Sequence, residues 1–152
     1  WTRGFVKAAL AMFFTHNTDQ MKKIIPKTVT LNTGYTSEKM YTNINAPLFS
    51  WVIENLIKNA ADALDGEGKI FLSIEKTSKS TVIKVEDNGK GIPIPIQKTI
   101  FQPGYTTKER GWGLGLSLAK RIVEGHHYGK IEIISSKEKK GTIIGVTLPL
   151  AN

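Results

Sequence analysis

Asn55 and Asn59 stand four positions apart, with Asp62 three further on. On a helix, at about 100° per residue, these three fall within roughly 60° of arc. Amide oxygens suit a hard cation such as Mg²⁺, which prefers oxygen ligands and shares them with substrate phosphates. Asparagine is a poor helix former, so such a stripe is unusual as solvent decoration. The alternative is two amides hydrogen-bonding a neighbouring loop. A second group is Asp87 with Asn88-Gly89-Lys90-Gly91-Ile92-Pro93 behind it. A carboxylate at a strand end can accept from an exocyclic amine, and the glycines let backbone approach a flat ligand. A plain or Ca²⁺-like turn is the alternative. A third is Gly111-Trp112-Gly113-Leu114-Gly115-Leu116-Ser117, alternate glycines opening a helix. Their N–H groups at the positive helix end suit phosphates, or the stretch is a hinge before a core helix. It is neither the G-x-G-x-x-G dinucleotide fingerprint nor the G-x-x-x-x-G-K-[ST] phosphate loop. Between these groups, Thr106, Thr107 and Lys108 offer two hydroxyls and an ammonium to terminal phosphate oxygens, or form a solvated loop.

Elements must hold these groups in place. Residues 46–64 carry Ile53, Ile57, Ala60 and Leu64 roughly opposite the asparagines, so one helix has an apolar face and a separate polar stripe. Asn45 reads as its N-cap, Ala46-Pro47 as its first turn, and Asp65-Gly66-Glu67-Gly68 as its stop. Residues 3–23 have Phe5, Ala8, Ala9, Met12 and Phe13 at helical spacing, and Pro26 ends that segment. Residues 29–35 and 40–44 read as two strands with a turn near Ser37. Residues 69–76 and 81–87 alternate as strands, with Ile83 and Val85 on one face and Val82, Lys84 and Glu86 on the other. A long loop spans 102–111, a second helix 113–124, and strands 130–135 and 142–148 close the chain. This order predicts an α+β fold: a two-layer sandwich whose mixed, mostly antiparallel sheet carries helices on one face.

Composition narrows the function. The 152 residues suit one domain. No apolar run is long enough to span a bilayer, and there is no signal-peptide pattern. Without cysteine there are no disulfides, thiolate metal sites or cysteine nucleophiles. The formal charge of +8 attracts a nucleotide or an acidic partner. Basic residues do not form a stripe interleaved with aromatics, so nucleic acid is not an expected partner. The sequence starts at Trp1, not Met, and is read as part of a longer chain.

Taken in order, the groups resemble one family. Asn55-Leu56-Ile57-Lys58-Asn59-Ala60 resembles the N box of the GHKL ATPases, and Asp87 to Ile92 is similar to their first glycine box. Residues 100–108 resemble the F box of histidine kinases, 111–116 the second glycine box, and Lys140-Gly141-Thr142 the closing G-T element. The resemblance covers residues 46–149 and is to the catalytic, ATP-binding domain of sensor histidine kinases. It implies a Bergerat-type sandwich with ATP between the N-box helix and a lid. By analogy Asn59 is the Mg²⁺ ligand, Asn55 assists near the phosphates, and Asp87 takes the adenine amine. Gly89, Gly91 and Ile92 shape the adenine pocket, with Thr142 close by. Gly111, Gly113, Leu114, Gly115 and Leu116 meet the phosphates, with Thr106, Thr107 and Lys108 toward the terminal one. Lys108 joins Asn55 and Asn59 as a catalytic candidate.

There are departures. Asp62 stands where many relatives have a phosphate-binding lysine; it stays among the residues expected to line the nucleotide, with Lys108 or Lys58 replacing the lost contact. Gly104-Tyr105 replaces a second F-box phenylalanine, and Gly125-His126-His127-Tyr128-Gly129 replaces H-G-G. Adjacent histidines point apart, so neither is read as a metal ligand. The hydrolases of the superfamily place a water-activating glutamate where this chain has Asn55. An amide cannot act as a general base, and Glu54 lies about 100° away around the helix. The domain is therefore expected to donate the γ-phosphate of ATP to a histidine. His16 lacks the H-box context and receives no role. The acceptor is expected upstream, on a dimerisation and phosphotransfer domain, with a response regulator downstream. Residues 1–26 are read as the first helix of the domain, or its joint to those dimerisation helices, and 27–152 as the catalytic domain. The domain itself is expected in the cytoplasm without membrane contact. A GHKL-type hydrolase, an anti-sigma-like serine kinase and a regulatory nucleotide-binding module are the alternatives.

Overall fold

The computed structural model describes residues 4–35, 39–104 and 115–151. The chain runs β1 (Phe5–Ala9), α1 (Leu10–Lys23), β2 (Val29–Tyr35), β3 (Tyr41–Asn45), α2 (Ala46–Ala63), β4 (Gly68–Lys76), β5 (Ser80–Asp87) and a short α3 (Ile94–Gln97). Then come α4 (Gly115–Lys120), which passes into a π-helical segment (Arg121–His126), β6 (Lys130–Lys137) and β7 (Gly141–Pro149). The main sheet has five strands in the order β2-β4-β5-β7-β6, and β1 with β3 makes a separate two-stranded ribbon. In the main sheet only β2 and β4 are parallel. Ile70, Leu72, Ile74, Ile83, Val85, Ile144, Val146 and Leu148 line its inner face. Helices α1, α2 and α4 contribute Leu10, Phe14, Phe49, Ile53, Ile57 and Ala119 to the same core. The other face carries the exposed Lys69, Phe71, Glu75 and Glu86. The fold is thus α+β, with a mixed and mostly antiparallel sheet.

Three local readings change. Residues 5–9 are a strand, not the start of a helix; α1 begins at Leu10. Their partner is β3, in the register Phe5↔Asn45 to Ala9↔Tyr41. The segments 29–35 and 40–44 do not pair with each other: β2 joins β4, and β3 joins β1. The predicted turn residue Ser37 lies outside the described residues. Ile94–Gln97 form a helical turn, α3, and the second helix runs past Glu124 to His126 in π form.

Helix α2 follows its local signals. Asn45 Oδ1 accepts the Leu48 N–H at 3.2 Å, and a proline occupies the first turn. Phe49, Val52, Ile53, Leu56 and Ile57 are buried along it. Each such side chain contributes about 1.5–3 kcal/mol on burial. The two asparagines cost roughly 0.7 kcal/mol each in helix propensity, so packing decides and the helix forms.

Candidate nucleotide-binding site

Helix α2 acts as a ruler for the site. At its C-terminal end the Lys90 N–H donates to the Ala63 carbonyl at 3.1 Å, which docks the first glycine loop there. Further back, Gly115 opens α4 directly over Asn55: a methyl group at position 115 would stand 2.5 Å from Asn55 Oδ1. At 1.5 Å of rise per residue, Ala63 and Asn55 are about 12 Å apart along the axis, with Asn59 between. The two glycine boxes therefore meet one helix two turns apart, and Asn55 and Asn59, both half-buried, face the interval.

At the first end, Asp87 closes β5 and is 7% exposed. Its Oδ1 accepts the Gly89 N–H at 2.9 Å. Burial pushes its carboxyl above the ordinary aspartate range; backbone N–H bonds from Gly89 and Thr142 oppose this, and neighbouring Glu86 adds to it. Thr142 stands opposite Asp87 in the β5–β7 register. Its hydroxyl lies 2.7 Å from Ser136 Oγ, which accepts the Ile92 N–H at 2.8 Å. A buried carboxylate, two hydroxyls and a short loop converge here. Sequence reasoning missed Ser136, because only the β6–β7 register, Ser136↔Thr142, brings it in.

Gly91 has φ +75°, and a side chain there would meet the Lys137 carbonyl. The Lys139 N–H also donates to the Lys90 carbonyl at 2.7 Å, so the loop is pinned on its far side. Gly91→Ala is expected to cost about 1–3 kcal/mol, by left-handed strain and by displacement of the β6–β7 turn. At this chain length that lowers the unfolding midpoint by about 2–4 °C per kcal/mol. A thermal melt with an unchanged midpoint would show that the loop is not pinned.

Asp62 is exposed and shares a groove of about 410 Å³ with Ile24, Pro26, Lys58, Ala61, Asp65 and Gly66. Gly89 packs against the Ala63 carbonyl, and Leu116 is half-buried against the core. Thr106, Thr107, Lys108, Gly111, Gly113 and Leu114 lie outside the described residues, as does most of the expected lid. His126 is exposed and His127 buried.

A model of the histidine kinase-, DNA gyrase B-, and HSP90-like ATPase family matches residues 45–152. The chain belongs to this family. This ATPase-family domain is similar to sporulation kinase A of Bacillus subtilis strain 168, at 35% identity over 119 residues; these cover 78% of this chain and 19% of that protein. It is also similar to the signal transduction histidine-protein kinase AtoS of Escherichia coli K12, at 42% over 94 residues, 61% of this chain and 15% of that one. The solved catalytic domain of histidine kinase ThkA superposes with a TM-score of 0.79 at 26% identity, covering 95% of this chain and 97% of that one. The domain is thus an ATP-binding catalytic domain of the histidine kinase type with the Bergerat fold, and it spans only a minor part of its curated relatives. Among its described residues, no helix is long and apolar enough to cross a membrane.

Proposed function

We propose that the domain binds ATP with Mg²⁺ along α2 and donates the γ-phosphate to a histidine on a dimerisation domain not contained in these 152 residues, for relay to a response regulator. One observation carries the choice of donor over hydrolase: the residue seated under the glycine-box helix is the amide Asn55, with Gly115 packed against it. An amide has no proton affinity with which to activate water. Glu54, the nearest carboxylate in sequence, projects about 100° around the helix. Catalysis then rests on positioning and charge neutralisation.

The residues present fit the substrate. Asp87 supplies a buried acceptor for the adenine amine, with the Thr142 and Ser136 hydroxyls beside it. Asn59 would hold Mg²⁺ with phosphate oxygens, and Asn55 would steady the phosphates. Among the described residues no cluster of three or more His, Asp or Glu side chains could hold a metal alone, so substrate oxygens would complete the coordination. The bound ion would neutralise charge on the terminal phosphates. The phosphate roles of Thr106, Thr107, Lys108, Gly111, Gly113 and Leu114 belong to the same proposal. Residues 1–26 are assigned to this domain, as its first helix or its joint to the dimerisation helices; burial of Leu10, Phe14 and Met21 in the common core supports their membership of the domain. A cytoplasmic setting follows from the need for ATP.

The domain alone is expected to hydrolyse ATP slowly and not to phosphorylate itself. Mixed with a dimerisation domain that carries the acceptor histidine, it is expected to yield an acid-labile, base-stable phosphoramidate. Fast hydrolysis by the domain alone would favour a hydrolase, and acid-stable phosphate on a partner serine would favour a serine kinase.

A further inference from the structure

The imidazole of His127 joins three elements far from the adenine end. It is 3% exposed and sits where the π-helical segment ends. Its Nε2 receives the Asn45 backbone N–H at 3.1 Å. That donor requires a lone pair on Nε2, so the ring proton resides on Nδ1, which donates to the Ile122 carbonyl at 3.0 Å. The His127 backbone N–H donates to the same carbonyl at 3.1 Å and closes the π turn. The ring also packs on Phe5 of β1 and Phe49 of α2, with centroids 5.0 and 5.9 Å away. Asn45 is both the last residue of β3, opposite Phe5, and the N-cap of α2.

The helix formed by α4 and the π segment is therefore pinned to α2 at both ends. Gly115 rests on Asn55, and His127 holds Asn45. π-Helix is rare and occurs mostly as single turns inside α-helices, frequently at functional sites. Here the π segment closes the helix whose first residue, Gly115, rests on Asn55.

We propose that His127 is a positioning residue: as a neutral imidazole it latches the glycine-box helix to the start of α2 and to β1, and its protonation releases that latch and weakens nucleotide binding. A protonated ring would turn a donor toward the Asn45 N–H. Burial already pushes its pKa below the ordinary histidine value, and His126 adds to this. Charged groups on the packed elements are engaged or displaced along the chain. On β1, Lys7 lies over the Tyr41 ring. On the π segment, Glu124 accepts the Ile131 N–H, and on α2 the charged residues Glu54, Lys58 and Asp62 follow in the later turns. With the folded value depressed, the latch is fully present above the ordinary histidine pKa and is lost as pH falls from there through the folded value.

The nucleotide arm rests on the proposed function; the latch itself does not. The test uses the whole 152-residue chain, His127→Phe and His127→Gln. Phenylalanine keeps the ring contacts without the hydrogen bonds; glutamine keeps one acceptor and one donor. Mg-ATP affinity is measured by calorimetry from about pH 7.5 to 5.5, across the histidine range. The variants carry the titration of ATP itself, so the difference from the natural chain isolates His127. The natural chain is expected to lose a few-fold more affinity than the phenylalanine variant across that range, since a histidine with a lowered pKa is only partly protonated at its acid end. At the upper pH the phenylalanine variant should already be weakened, with partial rescue by glutamine. Without nucleotide, amide protection over residues 115–126 of the natural chain, taken relative to the intrinsic exchange rate at each pH, should fall on acidification, and the ring-nitrogen NMR shift should show an unprotonated Nε2 at neutral pH. Parallel pH profiles, a ring protonated at neutral pH, or protection unchanged by acid would overturn the latch. If neither variant folds, the NMR and exchange titrations of the natural chain decide. Absence of any ATP binding together with acid-sensitive protection would sink the nucleotide reading and leave the latch standing.

Discussion

Replacing Asp87 by asparagine is expected to weaken ATP binding by about 1.5–3 kcal/mol, the worth of a hydrogen bond to a charged group. The nucleotide-free domain should become no less stable. Two demands converge on this side chain. The Gly89 N–H already donates to Oδ1 at 2.9 Å, and the Thr142 backbone N–H donates as well. An adenine amine is another donor. A carboxylate offers two acceptor oxygens; an amide offers one, and its other end is itself a donor. Whichever way the amide turns, one donor faces a donor. The free domain responds in the opposite sense. Burial raises the folded pKa of Asp87, so its stabilising contribution is present below the ordinary aspartate value and lost as pH rises through the folded one. At neutral pH the buried charge therefore costs stability, and asparagine removes that cost. Calorimetric affinity and a thermal melt of the free protein check both halves. Unchanged affinity would remove Asp87 from the adenine site, and a large drop in melting temperature would make it a structural residue.

The second large effect is expected at Asn59. Asn59→Ala should lower Mg²⁺-dependent phosphoryl transfer at least about 10²-fold, the usual loss when one preorganised stabilising group is removed. Stability should shift by less than about 1 kcal/mol, because Asn59 lies off the buried face and alanine is the better helix former. Ile57, two positions away, is fully buried. Ile57→Ala should do the reverse: a loss of about 2–5 kcal/mol in stability, with transfer per folded molecule largely kept. Transfer is measured with radiolabelled ATP and normalised to the folded fraction. If Asn59→Ala collapses the fold while each folded molecule still transfers normally, the metal assignment fails.

Much of the candidate site was proposed from the sequence because its pieces are local. The stripe on α2 is a matter of helical period. The carboxylate-glycine loop is contiguous, and so is the glycine run that opens α4. The N-cap and proline at Asn45 to Pro47 also work within one turn. Chain order then tied these pieces to one family.

What the sequence hid was pairing. Phe5, Ala8, Ala9, Met12 and Phe13 keep a helical period, yet residues 5–9 form a strand, because the backbone partner that decides it, 41–45, lies far along the chain. Strands β2 and β3 are neighbours in sequence and look like a hairpin, but each finds its partner in a different sheet. Ser136 reaches Thr142, and Gly91 meets Lys137, only through the β6–β7 register.

The sequence alone thus determined the chemistry on offer and the helix that presents it, since helical period, caps and glycine loops act within a few residues. Only the tertiary structure decided that the two glycine boxes dock two turns apart on α2, that Asp87 is buried beside a pair of hydroxyls, and that a neutral His127 pins the glycine-box helix. Those facts depend on strand register and on hydrogen bonds between distant residues, and such interactions leave no local periodicity to read.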